Sequence, residues 1–595
     1  MSSQTNQRGG LAGRVLGGLD VSITLTALVF WGIVLWWAYF QEMSRVKYGV
    51  IFVGGIMTVY ALNETKEALE DGNKLDAAVL LPASIVLITA SVYFTANFTQ
   101  VYVVQQGYAL EHEYQLARII IVSILYLTWR EFGNLFLGLV GGVMVYGVYG
   151  NHISGILGHG GMNELTLLQT LVTDLYGFYG SLTQLTAAWI APFLLYAGML
   201  FAYGAFDLIL RVAIVSAKYI ESGVAQTAVL ASAVIGSING SYTANAAMTG
   251  SFTIPTMRDS GMASHRAAAI ESVASTSGQV LPPVMGASAF VMASYLGVPY
   301  INIVVAGLVP AAVLVVSIGI AVHYTAISDQ SSQEMEFSEF FDDELTSTEK
   351  WVEGFRFGIP FFVLIYLLGV AQYTVMTSAL YTIVAMVVLG ISVPPLFRLV
   401  DGSETGPVSE FVDQVRSTVG GFRRGAIILA PIAIILVAIN GVIDIFSVTG
   451  VPSKIALMIM AISGGFLLFA VLLGMVVAIL MGMGMPTVAA YIIVAILIAP
   501  TFIADFGVPE ITAHYTVFYA AILAGITPPV ATAVVVTAGI AEANFWRVSG
   551  AALKIAAPLF VLPVTFVYNP NVVSFTLNGA TILAGKLVVL GAITM

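Results

Sequence analysis

Residues 236–255 read GSINGSYTANAAMTGSFTIP, and residues 482–500 read GMGMPTVAAYIIVAILIAP. Each stretch has a partner further on: ASTSGQVLPPVMGASAF at 274–290 and LAGITPPVATAVVV at 523–536. Gly236 precedes Pro282 by 46 positions and Gly482 precedes Pro528 by the same 46, so the two copies are offset by 246. One repeated Pro-Pro-Val would say little. Two Gly-rich breaks, each the same distance ahead of a Pro-Pro break, mark an internal duplication.

The physics of such breaks is restrictive. Glycine and proline interrupt apolar runs where a membrane helix would be continuous. Backbone outside a helix cannot face lipid, where every unmet N–H or C=O is costly, so it must line a protein cavity or a polar site. Broken apolar segments at corresponding places in two halves point to a binding site near the membrane midplane. The first element of each pair reads as a hairpin that enters and leaves on one side. The second reads as a span split at Pro282-Pro283 and at Pro528-Pro529. Close helix packing also uses small residues, but it does not require one spacing twice.

Composition agrees with a membrane setting. Of 595 residues, 58% are hydrophobic and 9% charged, with mean hydropathy +0.93. Soluble domains are about 45–50% apolar and about 25% charged, so a soluble enzyme and a disordered chain are excluded. At roughly 20 apolar residues per span, the apolar content allows about 14 to 16 spans. The net charge of −11 argues against a nucleic-acid surface. The absence of Cys removes disulfides and thiolate sites, and six scattered His give no zinc spacing. Early apolar runs cover residues 21–40, 48–62, 77–98, 117–128 and 132–150, the last two joined through Trp129-Arg130-Glu131. His152 and His159 read as loop residues, Asp444 as following a span end, and 580–590 as a last apolar run.

The polar groups at the breaks carry the chemistry. The first hairpin offers Asn239, Ser241, Thr243, Asn245 and Thr249 behind Gly236. The first split span offers Ser275, Thr276, Ser277 and Gln279 ahead of Pro282 and Pro283. The second half offers Thr487 after Gly482, Gly484 and Pro486, and Thr527 ahead of Pro528 and Pro529. Neutral hydroxyl, amide and carbonyl oxygens suit Na⁺, whereas divalent ions usually take carboxylates as well. Half-helix N-termini at such breaks can face a substrate carboxylate. The constellation therefore points to an ion-coupled secondary transporter of organic anions, with no catalytic residues and no metal beyond Na⁺. Glu271, four residues before Ser275, is an ionisable group inside a span and a coupling candidate. No G-x-x-x-x-G-K-[ST] motif occurs, so no ATPase subunit is expected to drive the process.

At these residues the chain resembles the fused permease of tripartite ATP-independent periplasmic (TRAP) transporters of the TAXI kind, in which small and large membrane subunits share one polypeptide. The resemblance rests on GSINGSYTANAAMTGSFTIPTMRDSG, AIESVASTSGQVLPPVMGASAFVMASYLGVPY, GMGMPTVAAYIIVAILIAP, YAAILAGITPPVATAVVVTAGIA and FVYNP at 566–570. It is close over about 225–300 and 480–570 and weak over 1–130. It implies an all-α polytopic fold of the inverted-repeat, ion-transporter kind, with two re-entrant hairpins and two broken helices working as an elevator. It implies a small-subunit-like block at 1–160 and a transport block at 161–595. The latter holds repeats at about 161–327 and 357–595, joined by an acidic linker at 328–356. It also implies symport of an organic acid across a prokaryotic cytoplasmic membrane, usually with Na⁺, and delivery by an extracytoplasmic TAXI-type binding protein. Asn245 fits the family pattern, while Asn239 and the bulky Tyr242 depart from it.

Two other readings compete. A carrier could work alone, without a binding protein. A membrane-embedded hydrolase could pair a serine such as Ser241 with His265 or His514, but neither His has a Gly-x-Ser-x-Gly setting, and the duplication has no role there.

Overall fold

The computed structural model describes residues 11–105, 108–217, 222–282, 284–328, 347–401 and 406–574. Every regular element among them is helical. Ten helices are long and apolar enough to cross a membrane, or eleven if one bent pair counts as a single span. The protein is thus an all-α polytopic membrane protein. The count of crossing helices is lower than apolar content alone allows, because much of that content lies in four shorter apolar helices of 10–17 residues. The run at 580–590 and most of the acidic linker lie outside the described residues.

Two compact units form, each from discontinuous chain. The first comprises Met1–Ala205 and Thr346–Thr449. It opens with α1 (Leu11–Phe40), α2 (Arg45–Glu70), α3 (Lys74–Ala96) and α4 (Glu111–Tyr149). The apolar runs on either side of Trp129-Arg130-Glu131 do join in α4, with a kink at Gly133, whose φ is 74°. Several charges in this unit are paired: Arg130 reaches Glu64 at 3.2 Å and Asp76 at 2.9 Å, and Tyr60 donates to Glu131 at 2.7 Å. His159 binds the Tyr146 carbonyl at 3.0 Å and accepts from the Gly161 N–H, so it fastens a loop.

The unit continues with α5 (Ser181–Ala202), and later with α12 (Glu349–Val370), α13 (Val375–Asp401) and α14 (Pro407–Thr449). Gly421 and Gly425 on α14 form a small-xxx-small stripe that lets α5 approach closely. A methyl group added at Gly198 would stand 2.5 Å from Gly425 Cα. Asn440 on α14 donates to the carbonyls of Tyr176 and Gly177 and accepts from the Leu182 N–H, pinning the entry to α5. Asp444 lies inside α14 and not beyond its end; the apolar run breaks at Asp444, but the helix does not.

The second unit comprises Phe206–Leu345 and Gly450–Met595. Its first part holds α6 (Ala205–Ala217, whose first residue closes the other unit), α7 (Gly223–Asn239), α8 (Tyr242–Asp259), α9 (Ser264–Ser277), α10 (Gly286–Leu296) and α11 (Tyr300–Ser328). Its second part holds α15 (Val451–Ser463), α16 (Leu467–Gly482), α17 (Thr487–Ala504), α18 (Glu510–Ile522), α19 (Thr532–Ile540), α20 (Phe545–Ile555) and α21 (Ala557–Tyr568). The duplication read at the breaks extends through these elements. Moving α6 by 246 positions gives the bounds of α15, and the starts of α9 and α10 move onto those of α18 and α19.

Left-handed backbone repeats at the same offset: Gly204 with Gly450, Gly261 with Gly507, and Met285 with Ala531. Met285 and Ala531 are not glycines, and a left-handed non-glycine costs of order 1–3 kcal/mol; both stand at the break of a split segment. The copies diverge at their ends. α11 runs straight on for 29 residues, while its counterpart bends by 42° between α20 and α21, where Pro558 opens α21.

Candidate hairpin and broken-helix site

The α7–α8 turn and the α9–α10 break meet through bare backbone. Gly240 (φ 68°) and Gly286 (φ 63°) face each other, and a methyl group added at Gly240 would lie 2.8 Å from Gly286 Cα. Deeper in, a methyl at Gly236 would lie 2.9 Å from Gly278 Cα. The second copy repeats this contact at Gly482, where an added methyl would meet Ala524 Cβ at 2.6 Å. The conserved offset thus carries a packing requirement as well as a break. Ser241 begins α8 as its N-cap, accepting from the Ala244 N–H at 3.2 Å.

Asn245 sits one turn into α8 and is fully buried. Its amide nitrogen donates to the carbonyls of Ser232, at 2.9 Å, and Ser275, at 3.4 Å. Those two acceptors fix the amide's orientation, and Oδ1 is left without a hydrogen-bond partner. Gln279, in the single 3₁₀ turn after α9, shows the complementary arrangement. Its Oε1 accepts from Thr487 Oγ1 at 2.5 Å, and its buried Nε2 has no partner. One orphan acceptor and one orphan donor therefore flank the same break. A cation can satisfy the first and a carboxylate the second.

Glu271 is fully buried on α9. Its Oε1 accepts from Ser232 at 2.7 Å, Thr249 at 2.5 Å and Ser275 at 2.7 Å, and its Oε2 accepts from Thr253 at 2.5 Å. Spacing explains how the groups converge: Thr249 and Thr253 are four apart on α8, and Glu271 and Ser275 are four apart on α9. Ser232 and Ser275 belong to both clusters, giving carbonyls to Asn245 and hydroxyls to Glu271. Ser232 and Thr253 were not among the sequence candidates; the four-residue pairing of hydroxyls on α8 was the available signal.

The two copies also join here. Tyr242 donates to the Met485 carbonyl at 2.9 Å, and its ring lies against Gly525. The bulky residue that departs from the family pattern thus ties the first hairpin to the second break. Ser272 and Thr537 share a hydroxyl contact of 2.6 Å between α9 and α19.

Other candidates turn inward on their own helices. Thr276 donates to the Ser272 carbonyl, Ser277 to Ala274 and Thr527 to Leu523. Hydroxyls preceded by a helical turn have this local acceptor within reach, so their presence near a break did not decide their direction. Gly484 (φ 72°) and Pro486 form the turn into α17. Pro282 lies in the first break and the Pro528-Pro529 bond, which is cis, in the second. Asn239 closes α7, but its side chain, like all of Pro283, lies outside the described residues.

The hydrolase reading finds no dyad among its named residues. The Ser241 hydroxyl accepts the Ala244 N–H, and His514 Nδ1 meets Tyr491 OH at 2.8 Å. Among the described residues no three His, Cys, Asp or Glu side chains gather as metal ligands. A search of curated proteins returned no match. The family model described as "Tripartite ATP-independent periplasmic transporter, DctM component" matches residues 119–572.

Proposed function

Since the chain belongs to the DctM-component family of tripartite ATP-independent periplasmic transporters, which are secondary transporters of organic acids, we propose that it takes up an organic acid by Na⁺ symport. The solute is delivered by an extracytoplasmic binding protein of the TAXI type. The chain lies in a prokaryotic cytoplasmic membrane and needs no cofactor besides Na⁺. Residues 1–160 act as a fused small subunit and 161–595 as the transport subunit, split into two repeats by the acidic linker at 328–356. The α7–α8 and α16–α17 pairs serve as re-entrant hairpins, and they travel with the split helices as an elevator.

The observation that supports this best is the orphan pair at the first break. Asn245 Oδ1, buried beside Gly236 and Gly278, offers a neutral oxygen ligand to a monovalent cation. Gln279 Nε2 offers a donor to the carboxylate of the solute. Ser241, Thr249, Ser275 and Thr487 complete the polar lining.

Thermal unfolding of the purified chain in NaCl, KCl and choline chloride tests the ion. Binding to the folded state alone adds about 2.7 kcal/mol at a hundred-fold excess over Kd. Na⁺ is expected to raise Tm and the other cations not, with the difference lost in Asn245→Ala. Equal stabilisation by all three salts overturns Na⁺ coupling. Uptake into proteoliposomes without any binding protein would favour the stand-alone carrier.

A further inference from the structure

We propose that Glu271 is a proton-exchange site, held in a hydroxyl cage built to satisfy its carboxyl group in either protonation state. The inference rests on reading the first hairpin and split helix as the coupling region.

The cage meets both carboxylate oxygens with hydroxyl groups. Four hydroxyl oxygens stand 2.5–2.7 Å from the carboxylate oxygens, at direct hydrogen-bond distance. The elements packed on α9 are α7, α8, α10's preceding turn, α11, α19 and α20. Their titratable groups point elsewhere or are occupied. Arg258 and Asp259 on α8, and Arg547 and Lys554 on α20, are exposed. Arg266 on α9 donates to Ser328, and His323 on α11 bonds Ser222. Tyr242 and Tyr300 donate to the carbonyls of Met485 and Val284. His265, in the first turn of α9, and Tyr324 on α11 make no hydrogen bond or ion pair with Glu271. Neither α7 nor α19 carries a charged residue. Among the described residues no basic side chain pairs with Glu271, which leaves protonation as the way the protein's own groups can neutralise it.

Each caging hydroxyl has a second acceptor in reach. Thr253 can turn to the Thr249 carbonyl at 3.0 Å, Thr249 to the Asn245 carbonyl at 2.7 Å, Ser232 to Thr249 Oγ1 at 2.9 Å, and Ser275 to Ser232 Oγ at 3.5 Å. With the carboxylate ionised, all four hydroxyls donate to it. When a proton arrives at Oε2, the oxygen with a single partner, the new O–H donates to Thr253 Oγ1. The Thr253 proton then turns to the Thr249 carbonyl, and Oε1 keeps its three donors. No donor is stranded in either state, so the cage itself need not rearrange its helices when the carboxyl group changes protonation state.

Infrared difference spectroscopy of the full-length protein in phospholipid vesicles, titrated with acid and base, tests this. A distinct carboxyl C=O band, resolved from those of the other acidic residues, is expected to appear on acidification and to be absent in Glu271→Gln. Thr253→Val removes a donor that favours the anion, so the band's midpoint should move to higher pH; this variant keeps Glu271 and guards against misfolding of the first. A band that persists in Glu271→Gln, or a midpoint unmoved in Thr253→Val, overturns the proposal. The Na⁺ dependence of Tm is read on the same samples. Loss of Na⁺ stabilisation with an intact titrating band leaves the proton site standing and fells only the Na⁺ reading; the converse does the opposite.

Discussion

The two copies of the duplication enclose opposite chemistries in one framework. The first buries Ser232, Thr249, Thr253, Glu271 and Ser275. At the positions 246 further on, the second buries Ala478, Ala495, Ala499, Val517 and Ala521. Pro255 and Pro500 are 245 apart, so one position is lost along the second arm; the neighbours Val494 and Ile498 are aliphatic too. Matching helices with matching left-handed breaks form around both sets. The polar cluster is therefore not a requirement of the module. A buried carboxylate that the fold can do without, in one copy of two, is more economically explained by a task than by packing.

The contrast can be attacked from either side. Val517→Glu should have the largest effect, because alanines stand where the first copy has its four caging hydroxyls. An unpaired buried charge costs about 3–5 kcal/mol, and thermal unfolding should show a large drop in Tm. Tolerance of this change would break the comparison. Gly278→Ala copies the Ala524 of the second half, but here the methyl would come within 2.4 Å of the Ser232 carbonyl. Overpacking of about 1–3 kcal/mol is expected, with a lower Tm and weaker Na⁺ stabilisation.

The five-fold exchange S232A, T249A, T253A, E271V and S275A gives the first copy the interior of the second. Replacing a buried ionic network by apolar groups is often near neutral, so Tm should stay close to wild type while solute uptake is lost. Retained uptake would show the cluster to be inert. The smallest effect is expected for Thr487→Val, which removes the hydroxyl that Gln279 Oε1 accepts. It should cost about 1 kcal/mol and leave the Glu271 carboxyl band unmoved.

Some of this was legible without coordinates. Spacing alone located both breaks, because a covalent chain carries its duplication at a fixed offset whatever its packing. Composition alone required helices in a membrane, since 9% charged residues cannot cover a soluble surface. Glu271, Asn245, Thr249 and Ser275 could be nominated because polar side chains are rare and costly in apolar segments.

What joined them was decided by tertiary structure. Ser232 reaches Glu271 across 39 positions and Thr487 reaches Gln279 across 208, separations that no local periodicity encodes. Thr276, Ser277 and Thr527, although they look like their neighbours in sequence, bond carbonyls three or four residues earlier instead. A hydroxyl bonds whichever acceptor lies within about 3 Å. Sequence therefore determined that this chain breaks its helices twice in the same way and carries its carboxylate in the first copy, and only the helix packing decided which side chains would hold that carboxylate in hydrogen bonds.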